Sequence, residues 1–293
     1  MFSERVDLAL DNAQLQKVAM DLSNTVHNAV LAGGDGTRQL ADFLHGTWLG
    51  HPLHPVVTDV VVGAWTIGAF FDLITIFNKS RQLEIMADTL TQIGNYAALP
   101  TLLSGLTDFP TIYEPVAKTA LAHAVANNIG FALQVASTRA RSRGDRERAL
   151  SLSGLAFVFL MTGAYLGGHL SYAKRVGVNQ IDEASEPQEW TPALDASKIR
   201  EREPRRVEVA GQPILLYREG NRIQAIGAVC PHAEGPLEQG KFFNGCVECP
   251  WHHSVFSLAD GHVVHGPSTY PVPHYETRVR NGMVEVRLAA IIR

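Results

Sequence analysis

All three cysteines of the chain lie between residues 228 and 258, together with three of its twelve histidines. Cys230 and His232 are separated by one residue, sixteen residues follow, and Cys249 and His252 are then separated by two. Each Cys–His pair includes a proline, which fixes φ and removes a backbone donor, so both turns are stiff. A stiff turn presents two ligands with little loss of entropy on binding. The spacing is open to three interpretations: a disulfide, a structural zinc site or an iron–sulfur cluster.

The distribution of ligand types favours the cluster. Each turn contributes one cysteine and one histidine, which suits a site in which two thiolates hold one iron and two imidazoles hold the other. A Cys₂His₂ zinc finger would pair Cys with Cys and His with His, and a helix would carry the His pair. No such helix is apparent in this stretch of the sequence.

The segment resembles a Rieske 2Fe–2S domain, whose signature is Cys-x-His followed, after a similar gap, by Cys-x-x-His. The resemblance implies that Cys230 and Cys249 bind one iron and that His232 and His252 bind the other. Cys246 has no place in the pattern, and we interpret it as a small residue of a loop or strand.

Departures from the family pattern indicate the type of Rieske domain. Quinol-oxidising members add one cysteine to each loop and join the two in a disulfide, whereas this sequence has Gly235 and Trp251 there. The resemblance is therefore to the ferredoxin type. Ser254 is present, but Phe256 replaces the Tyr of high-potential members, so we expect a low to intermediate potential. His253 stands where ferredoxin-type loops usually have Gly.

The sequence around this motif predicts a small all-β domain over residues 201–293. Short apolar runs are separated by turn residues such as Gly211-Gln212-Pro213. Asn281-Gly282 is a favourable hairpin turn. Gly266-Pro267 resembles the third loop that covers a Rieske cluster.

Four long apolar stretches precede the motif, at about residues 55–77, 86–107, 117–137 and 149–171. Each approaches the roughly 20 residues that a helix needs to cross a bilayer. Small residues recur in them, which lets membrane helices approach closely. The alternative is a buried four-helix soluble domain, which Asp59, Asp72 and Asp88 would favour. We predict a four-helix transmembrane bundle, with the lipid bilayer as its partner.

The predicted fold is therefore an α + β multidomain chain, a four-helix membrane bundle followed by an all-β Rieske domain. Its predicted parts are an amphipathic segment at 1–45, the membrane domain at 46–173, a linker at 174–200 and the Rieske domain at 201–293. Five Arg in the connection at 137–148 would, by the positive-inside rule, place both termini outside the cell. The N-terminus has neither a secretion signal nor a twin-Arg start, so we expect a multi-pass cell-membrane protein with a cytoplasmic Rieske domain.

Histidines of the apolar half form a second candidate site. His51 and His54 lie in a His-Pro-x-His-Pro motif, His123 lies in the third apolar stretch, and His169 follows Gly167-Gly168 near the end of the fourth. This arrangement resembles a family of uncharacterised four-helix membrane proteins. The three hypotheses are axial ligation of a b-type haem, a quinone site in which Asp59 or a His takes the proton, and structural hydrogen bonding.

These features together predict a membrane-anchored Rieske electron-transfer protein. It would pass single electrons between an unknown redox partner and a membrane-side acceptor or donor. The alternatives are an electron-donor component for an oxygenase and a redox-sensing membrane module without turnover. We expect an electron carrier rather than a stand-alone enzyme, and no nucleic-acid partner.

Overall fold

The computed structural model describes residues 2–181 and 187–290. The chain divides into two compact units, and the division does not follow the order of the sequence. The helical unit comprises Met1–Thr37 and Pro52–Val176. The cluster unit comprises Arg38–His51 and Gly177–Arg293. A short segment that precedes the first apolar helix therefore belongs to the β-rich half.

The α-helices of the described chain lie in its N-terminal part. They are α1 (Phe2–Ala9), α2 (Ala13–Ala32), α3 (Gly34–His45), α4 (Leu53–Phe77), α5 (Arg81–Asp108), α6 (Glu114–Ser142) and α7 (Arg146–Gly168), which continues as a π-helical turn at His169–Ala173. Proline occupies the first turn of α6. Its missing N–H costs nothing at that position. Asp145 caps α7 by accepting a hydrogen bond from the Arg148 amide, at 3.2 Å.

The interior of the helical unit combines apolar clusters, such as the one around Trp65, with small polar side chains, whereas its exterior is largely apolar. The buried side chains include Thr91, Ser104, Gln134, Ser137 and Ser153. Large apolar side chains are exposed on all four long helices, among them Ile67, Phe70 and Phe77 of α4, Leu99 and Leu103 of α5, Val125 and Ile129 of α6, and Leu155 and Val158 of α7. This is the reverse of the arrangement in a water-soluble bundle.

The four predicted apolar stretches coincide with α4 to α7, but they differ in how well they suit a bilayer. Over the described residues, two helices are long and apolar enough to be candidate spans: Leu53–Phe77, with a mean hydropathy of 2.0, and Arg146–Ala173, with 1.8. α5 and α6 do not qualify, because polar residues such as Asp88, Asn95 and Gln134 interrupt them. The prediction of four membrane-crossing helices is therefore supported by composition for two of them.

Within its described residues, the cluster unit contains ten strands in two antiparallel sheets. The strands are β1 (Thr191–Asp195), β2 (Arg205–Val209), β3 (Gln212–Glu219), β4 (Arg222–Gly227), β5 (Lys241–Phe243), β6 (Cys246–Glu248), β7 (Val255–Ser257), β8 (Val263–His265), β9 (His274–Arg280) and β10 (Met283–Leu288). The larger sheet has the order β1-β10-β9-β4-β3-β2, and the smaller has the order β5-β6-β7-β8. The predicted Asn281-Gly282 turn joins β9 to β10, with both residues at positive φ.

The β domain begins earlier than the predicted boundary at residue 201. Strand β1 lies inside the segment predicted as a linker, at 174–200, and pairs with β10 at one edge of the larger sheet. Further upstream, the Gln180 amide donates to the Pro231 carbonyl at 3.0 Å, and Ile181 packs against the core that contains Cys230. From Gly177 onward, the described part of that segment therefore belongs to the cluster unit.

Candidate metal centre

Two tight loops carry the four predicted ligands. The first follows β4, and in it the Cys230 amide donates to the Gly235 carbonyl at 2.9 Å. The second joins β6 to β7, and the Cys249 amide donates to the Ser254 carbonyl at 2.8 Å. Because each loop is closed at its base by a backbone hydrogen bond, the Cys and His side chains of each loop are presented from a fixed backbone.

The four side chains meet as two like pairs. The rings of His232 and His252 have their centroids 4.9 Å apart at an interplanar angle of 82°. Cys230 and Cys249 are both buried, and the pKa of each thiol is shifted chiefly by its interaction with the other. Two thiols on one side and two imidazoles on the other form the donor set of a cluster in which the two irons have different ligands.

The protein around the sulfurs stabilises a thiolate. The hydrogen bond from Cys230 lowers the pKa of Cys249 to about 7, and the backbone amides of Trp251 and His252 act in the same direction. The pKa of Cys230 is raised well above its ordinary value, chiefly by its bond to Cys249 and by burial. Backbone N–H groups directed at sulfur are also a determinant of cluster potential.

The His232 imidazole is suited to bind metal as a neutral ligand. Burial lowers the pKa of His232 to about 3, with smaller contributions from His252 and His45, so this ring is unprotonated at neutral pH. Its Nδ1 is buried and has no hydrogen-bond partner within the described chain. A buried unsatisfied nitrogen costs about 1–3 kcal/mol, and an iron bound at this atom would remove that cost.

Gly235 also fits a cluster rather than a second cysteine. A Cβ at this position would lie 2.7 Å from the Cys249 Sγ and 3.4 Å from the Trp251 ring. A side chain there would collide with a predicted ligand. The donor set, the unsatisfied His232 nitrogen and the space left by Gly235 therefore fit a 2Fe–2S cluster held by Cys230, Cys249, His232 and His252.

The third loop lies beside the second, as the sequence predicts. The Ser268 amide donates to the buried Ser254 Oγ at 2.9 Å, and the Gly266-Pro267 bond is cis. Phe256 is fully buried and has no hydroxyl to donate to a cluster sulfur. Cys246, which has no place in the ligand pattern, lies in β6, and burial raises the pKa of its thiol.

His253 adopts the conformation that glycine would favour at this position. Its φ is 65°, which is positive. This value lies in the left-handed region that non-glycine residues rarely adopt. Its Nδ1 lies 2.8 Å from a Glu248 carboxylate oxygen, and its carbonyl accepts a hydrogen bond from Arg38 at 3.3 Å. These contacts hold the strained residue in place.

Sequence reasoning missed the segment that covers the loops, Arg38–His51. Its Asp42 carboxylate lies 2.7 Å from the His265 Nδ1 and accepts a hydrogen bond from the Gly266 amide at 2.8 Å. His45 is buried, and its ring would be 3.2 Å from a Cβ on Gly266. We call Arg38–His51 the cluster strap. The available signal is an acidic residue with histidines just before the first apolar helix, which does not indicate where the segment binds.

Comparisons with known proteins agree with this geometry. Residues 189–276 match the family described as Rieske [2Fe-2S] domain. The anthranilate 1,2-dioxygenase ferredoxin subunit of Burkholderia cepacia is 37% identical over 101 residues, which cover 34% of this chain and 93% of the relative. The chain belongs to the Rieske family. This confirms the resemblance noted in the sequence and implies a 2Fe–2S cluster.

A second sequence relative of this Rieske domain is also named a ferredoxin. Ferredoxin CarAc of Metapseudomonas resinovorans is 31% identical over 98 residues, which cover 33% of this chain and 92% of the relative. Among solved structures, the ferredoxin of carbazole 1,9a-dioxygenase from Nocardioides aromaticivorans IC177 is 25% identical, with a TM-score of 0.33 over 34% of this chain and 98% of that one. On the evidence of the two sequence relatives, the domain is a ferredoxin-type electron-transfer domain.

The helical half of the Rieske chain matches a second family. Residues 50–180 match Predicted membrane protein (DUF2231), which confirms the second resemblance and supports membrane association. The comparisons give no support to the predicted haem or quinone.

The structure brings together two of the residues predicted for that second site. The rings of His54 and His123 lie 6.2 Å apart between centroids, inside the helical unit. His169 instead lies 3.0 Å from Asp7, and Asp59 is exposed on α4. His51 belongs to the cluster strap. The five residues therefore do not form one site.

Two of the acidic residues in the apolar helices are neutralised. Asp72 of α4 and Asp88 of α5 both bind Arg141 of α6 and Arg146 of α7. The side chains of Asp72 and Arg141 are 7% and 4% exposed. Two carboxylates and two guanidiniums thus form a balanced four-charge network that joins the four long helices.

Proposed function

We propose that this Rieske protein is a membrane-anchored carrier of single electrons, working between a redox partner and an acceptor or donor on the membrane side. The observation that carries the proposal is the pairing of Cys230 with Cys249 and of His232 with His252 in two closed loops. A 2Fe–2S cluster in that position supplies reversible one-electron transfer. The inverted polarity of the helical unit supports its attachment to a bilayer.

The surroundings of the ligands suggest where electrons enter and leave. The two cysteines are buried, whereas His252 is part-exposed and the neighbouring Trp251 is 52% exposed. The cluster strap covers the third loop through Asp42. We therefore place the docking edge for the redox partner at Trp251 and His252.

The anchor is proposed to be the bundle of α4 to α7. Two helices qualify as spans by composition, and α5 exposes apolar residues such as Leu99 and Leu103 while its polar residues bind within the bundle. Asn95, for example, donates to the Thr138 hydroxyl at 2.8 Å. Polar side chains paired inside a bundle are compatible with a membrane helix.

The proposed orientation keeps the cluster domain in the cytoplasm. Of the five Arg at 137–148, Arg141 and Arg146 are bound to Asp72 and Asp88 and so contribute little free positive charge. This weakens the positive-inside argument for the opposite orientation. Fusing a fluorescent protein or alkaline phosphatase to the C-terminus tests the orientation, because the first is active inside the cell and the second outside. Phosphatase activity without fluorescence would reverse it.

A second candidate function is electron donation to an oxygenase. The relative from Burkholderia cepacia is named a ferredoxin subunit of a dioxygenase, and it aligns over nearly its whole length. The same cluster would then deliver electrons to an oxygenase component at the Trp251 edge.

One experiment separates these functions. The detergent-purified chain is reduced until its Rieske electron paramagnetic resonance (EPR) signal is full, and then mixed with quinone-containing liposomes or with a Rieske-type oxygenase component. Oxidation of the cluster by quinone supports the membrane carrier, and oxidation by the oxygenase supports the donor function. A cluster that neither acceptor oxidises would favour a sensor, and a chain that never shows the EPR signal would refute all three.

A further inference from the structure

Two hairpins of the helical unit repeat one structural motif. In the hairpin α4–α5, the His54 Nδ1 lies 3.0 Å from the Thr101 carbonyl oxygen. In the hairpin α6–α7, the His123 Nδ1 lies 2.9 Å from the Gly163 carbonyl oxygen. In both cases a histidine on the first helix donates to a backbone carbonyl on the second.

The match extends to the residues around each ring. Four residues after each acceptor carbonyl stands a glycine, Gly105 or Gly167. A Cβ on these glycines would lie 2.8 Å from the His54 Cε1 and 3.0 Å from the His123 Cε1. Both rings therefore lie against a helix surface that only glycine leaves open.

The repeat also continues along the first helix of each hairpin. Eighteen residues after its histidine, each has a charged residue: Asp72 after His54 and Arg141 after His123. Asp72 and Arg141 bind each other. The two hairpins thus repeat the same arrangement of residues. The repeat brings His54 close to His123, and eighteen residues further along each helix it brings Asp72 to Arg141.

The hydrogen bonds determine which ring nitrogen is available. A neutral imidazole that donates through Nδ1 carries its lone pair on Nε2. Metal-binding histidines in proteins commonly have this arrangement, with the second nitrogen bound to a carbonyl. The Asn127 side-chain amide donates to the His123 carbonyl oxygen at 2.9 Å, and its nitrogen also lies 3.3 Å from His123 Nδ1 and 3.2 Å from Nε2.

The separation of the rings fits a single metal centre. Because a metal–imidazole bond is about 2 Å long and the ring centre lies roughly 1 Å further, two imidazoles on one metal have centroids at most about 6–6.5 Å apart. The observed separation is 6.2 Å, at an interplanar angle of 76°.

We propose that His54 and His123 form a bis-imidazole site for a metal that brings its remaining ligands with it, a haem iron. Apart from each other, the described partners of the His54 and His123 rings are Thr101, Ser104, Gly163 and Asn127, none of which is a usual zinc ligand. A zinc site with four protein ligands therefore does not fit here. A haem iron needs only axial ligands from the protein. The site lies wholly in the helical unit, and it does not depend on the electron-carrier function of the cluster.

The test compares three variants of the full-length chain in detergent, titrated with haemin under reducing and oxidising conditions. The wild type is expected to give sharp α and Soret bands in the reduced-minus-oxidised spectrum. His54→Ala and His123→Ala are each expected to weaken haemin binding at least about tenfold, because each removes an axial ligand. His51→Ala, which changes a histidine of the cluster strap, is the matched control and is expected to bind as the wild type does.

The design keeps the result interpretable if a variant folds poorly. Gly105→Ala, which moves a ring without removing a ligand, is expected to shift the Soret band while the Rieske EPR signal reports an intact cluster. Binding of Cu⁺ at one equivalent without haemin binding would overturn the haem assignment. Equal haemin binding by wild type and both histidine variants, or none by a wild type whose cluster is intact, would overturn the site.

Discussion

The two units of this protein differ in where they place their large apolar side chains. The cluster unit buries large apolar side chains, such as Ile214, Leu215, Ile226 and Phe256, and leaves its charged residues outside. The helical unit buries Ser, Thr, Gln and an ion-pair network beside its apolar clusters, and it exposes many Ile, Leu, Val and Phe side chains. The exposed apolar side chains of the helical unit agree with its membrane association, whereas the apolar side chains of the cluster unit are buried as in a water-soluble domain.

The largest effect is expected from losing a cluster ligand. His252→Ala should abolish the Rieske EPR signal and the bound iron and sulfide, because one iron loses an imidazole. The helical unit should remain folded in the membrane fraction, since its contacts do not involve the loop. His262→Ala, at an exposed histidine bound to Asp260, is the control. Survival of the EPR signal in His252→Ala would refute the ligand assignment.

Breaking the buried charge network should damage the other unit alone. Arg141→Met leaves Asp72 and Asp88 with only Arg146. Removing one partner of a buried ion pair costs about 3–5 kcal/mol. We expect easier unfolding in denaturing detergent with an unchanged cluster signal. Arg139→Met, on an exposed position of the same helix, should change neither. Equal effects of both substitutions would show that the network has no special stabilising role.

A charge on the exposed apolar face tests the assignment of solvents directly. Ile67 of α4 and Val279 of β9 are both exposed apolar residues. Ile67→Lys should cost about 2.5–3.5 kcal/mol if that face contacts lipid. Val279→Lys should change stability by no more than about 0.5 kcal/mol, because its position faces water. Membrane-fraction yield after carbonate extraction is the measurement. A harmless Ile67→Lys, or release of the wild type by carbonate, would contradict the lipid assignment.

The smallest effect should come from the cluster strap. Asp42→Asn keeps the shape of the side chain but removes a negative charge that lies against His265 and Gly266. Reduction adds negative charge to the cluster, so its potential should rise, and an EPR-monitored redox titration measures the change. Asp260→Asn, which changes an exposed carboxylate of the same unit, should leave the potential close to that of the wild type. An unchanged potential in Asp42→Asn would show that the strap only covers the loops.

The sequence predicts local features of this fold and misses those that depend on distant pairing. The cluster loops are predictable because Cys230 and His232, or Cys249 and His252, are close along the chain. Strand β1 reads as part of a linker because it is short and contains Pro192. An edge strand tolerates such a proline. Its partner β10 is the last strand of the described chain. The residues near β1 in the sequence do not indicate that it pairs with so distant a strand.

The same limit applies to the charged residues. Asp72 and Asp88 are visible as anomalies in apolar stretches, but Arg141, 69 residues beyond Asp72, is what makes them tolerable. The strap contact between Asp42 and His265 joins residues 223 positions apart. The sequence shows where these charged residues stand along the chain, but it does not predict which of them bind each other in the fold.

The cluster strap also sets an order of events during synthesis. Arg38 is separated by 215 residues from His253, whose carbonyl it binds. At a ribosomal rate of about 5–20 residues per second, the strap leaves the ribosome roughly 10–40 s before its binding surface exists. The helices α4 to α7 are made in that interval. The strap must therefore remain without its partner until the Rieske domain has emerged from the ribosome and folded.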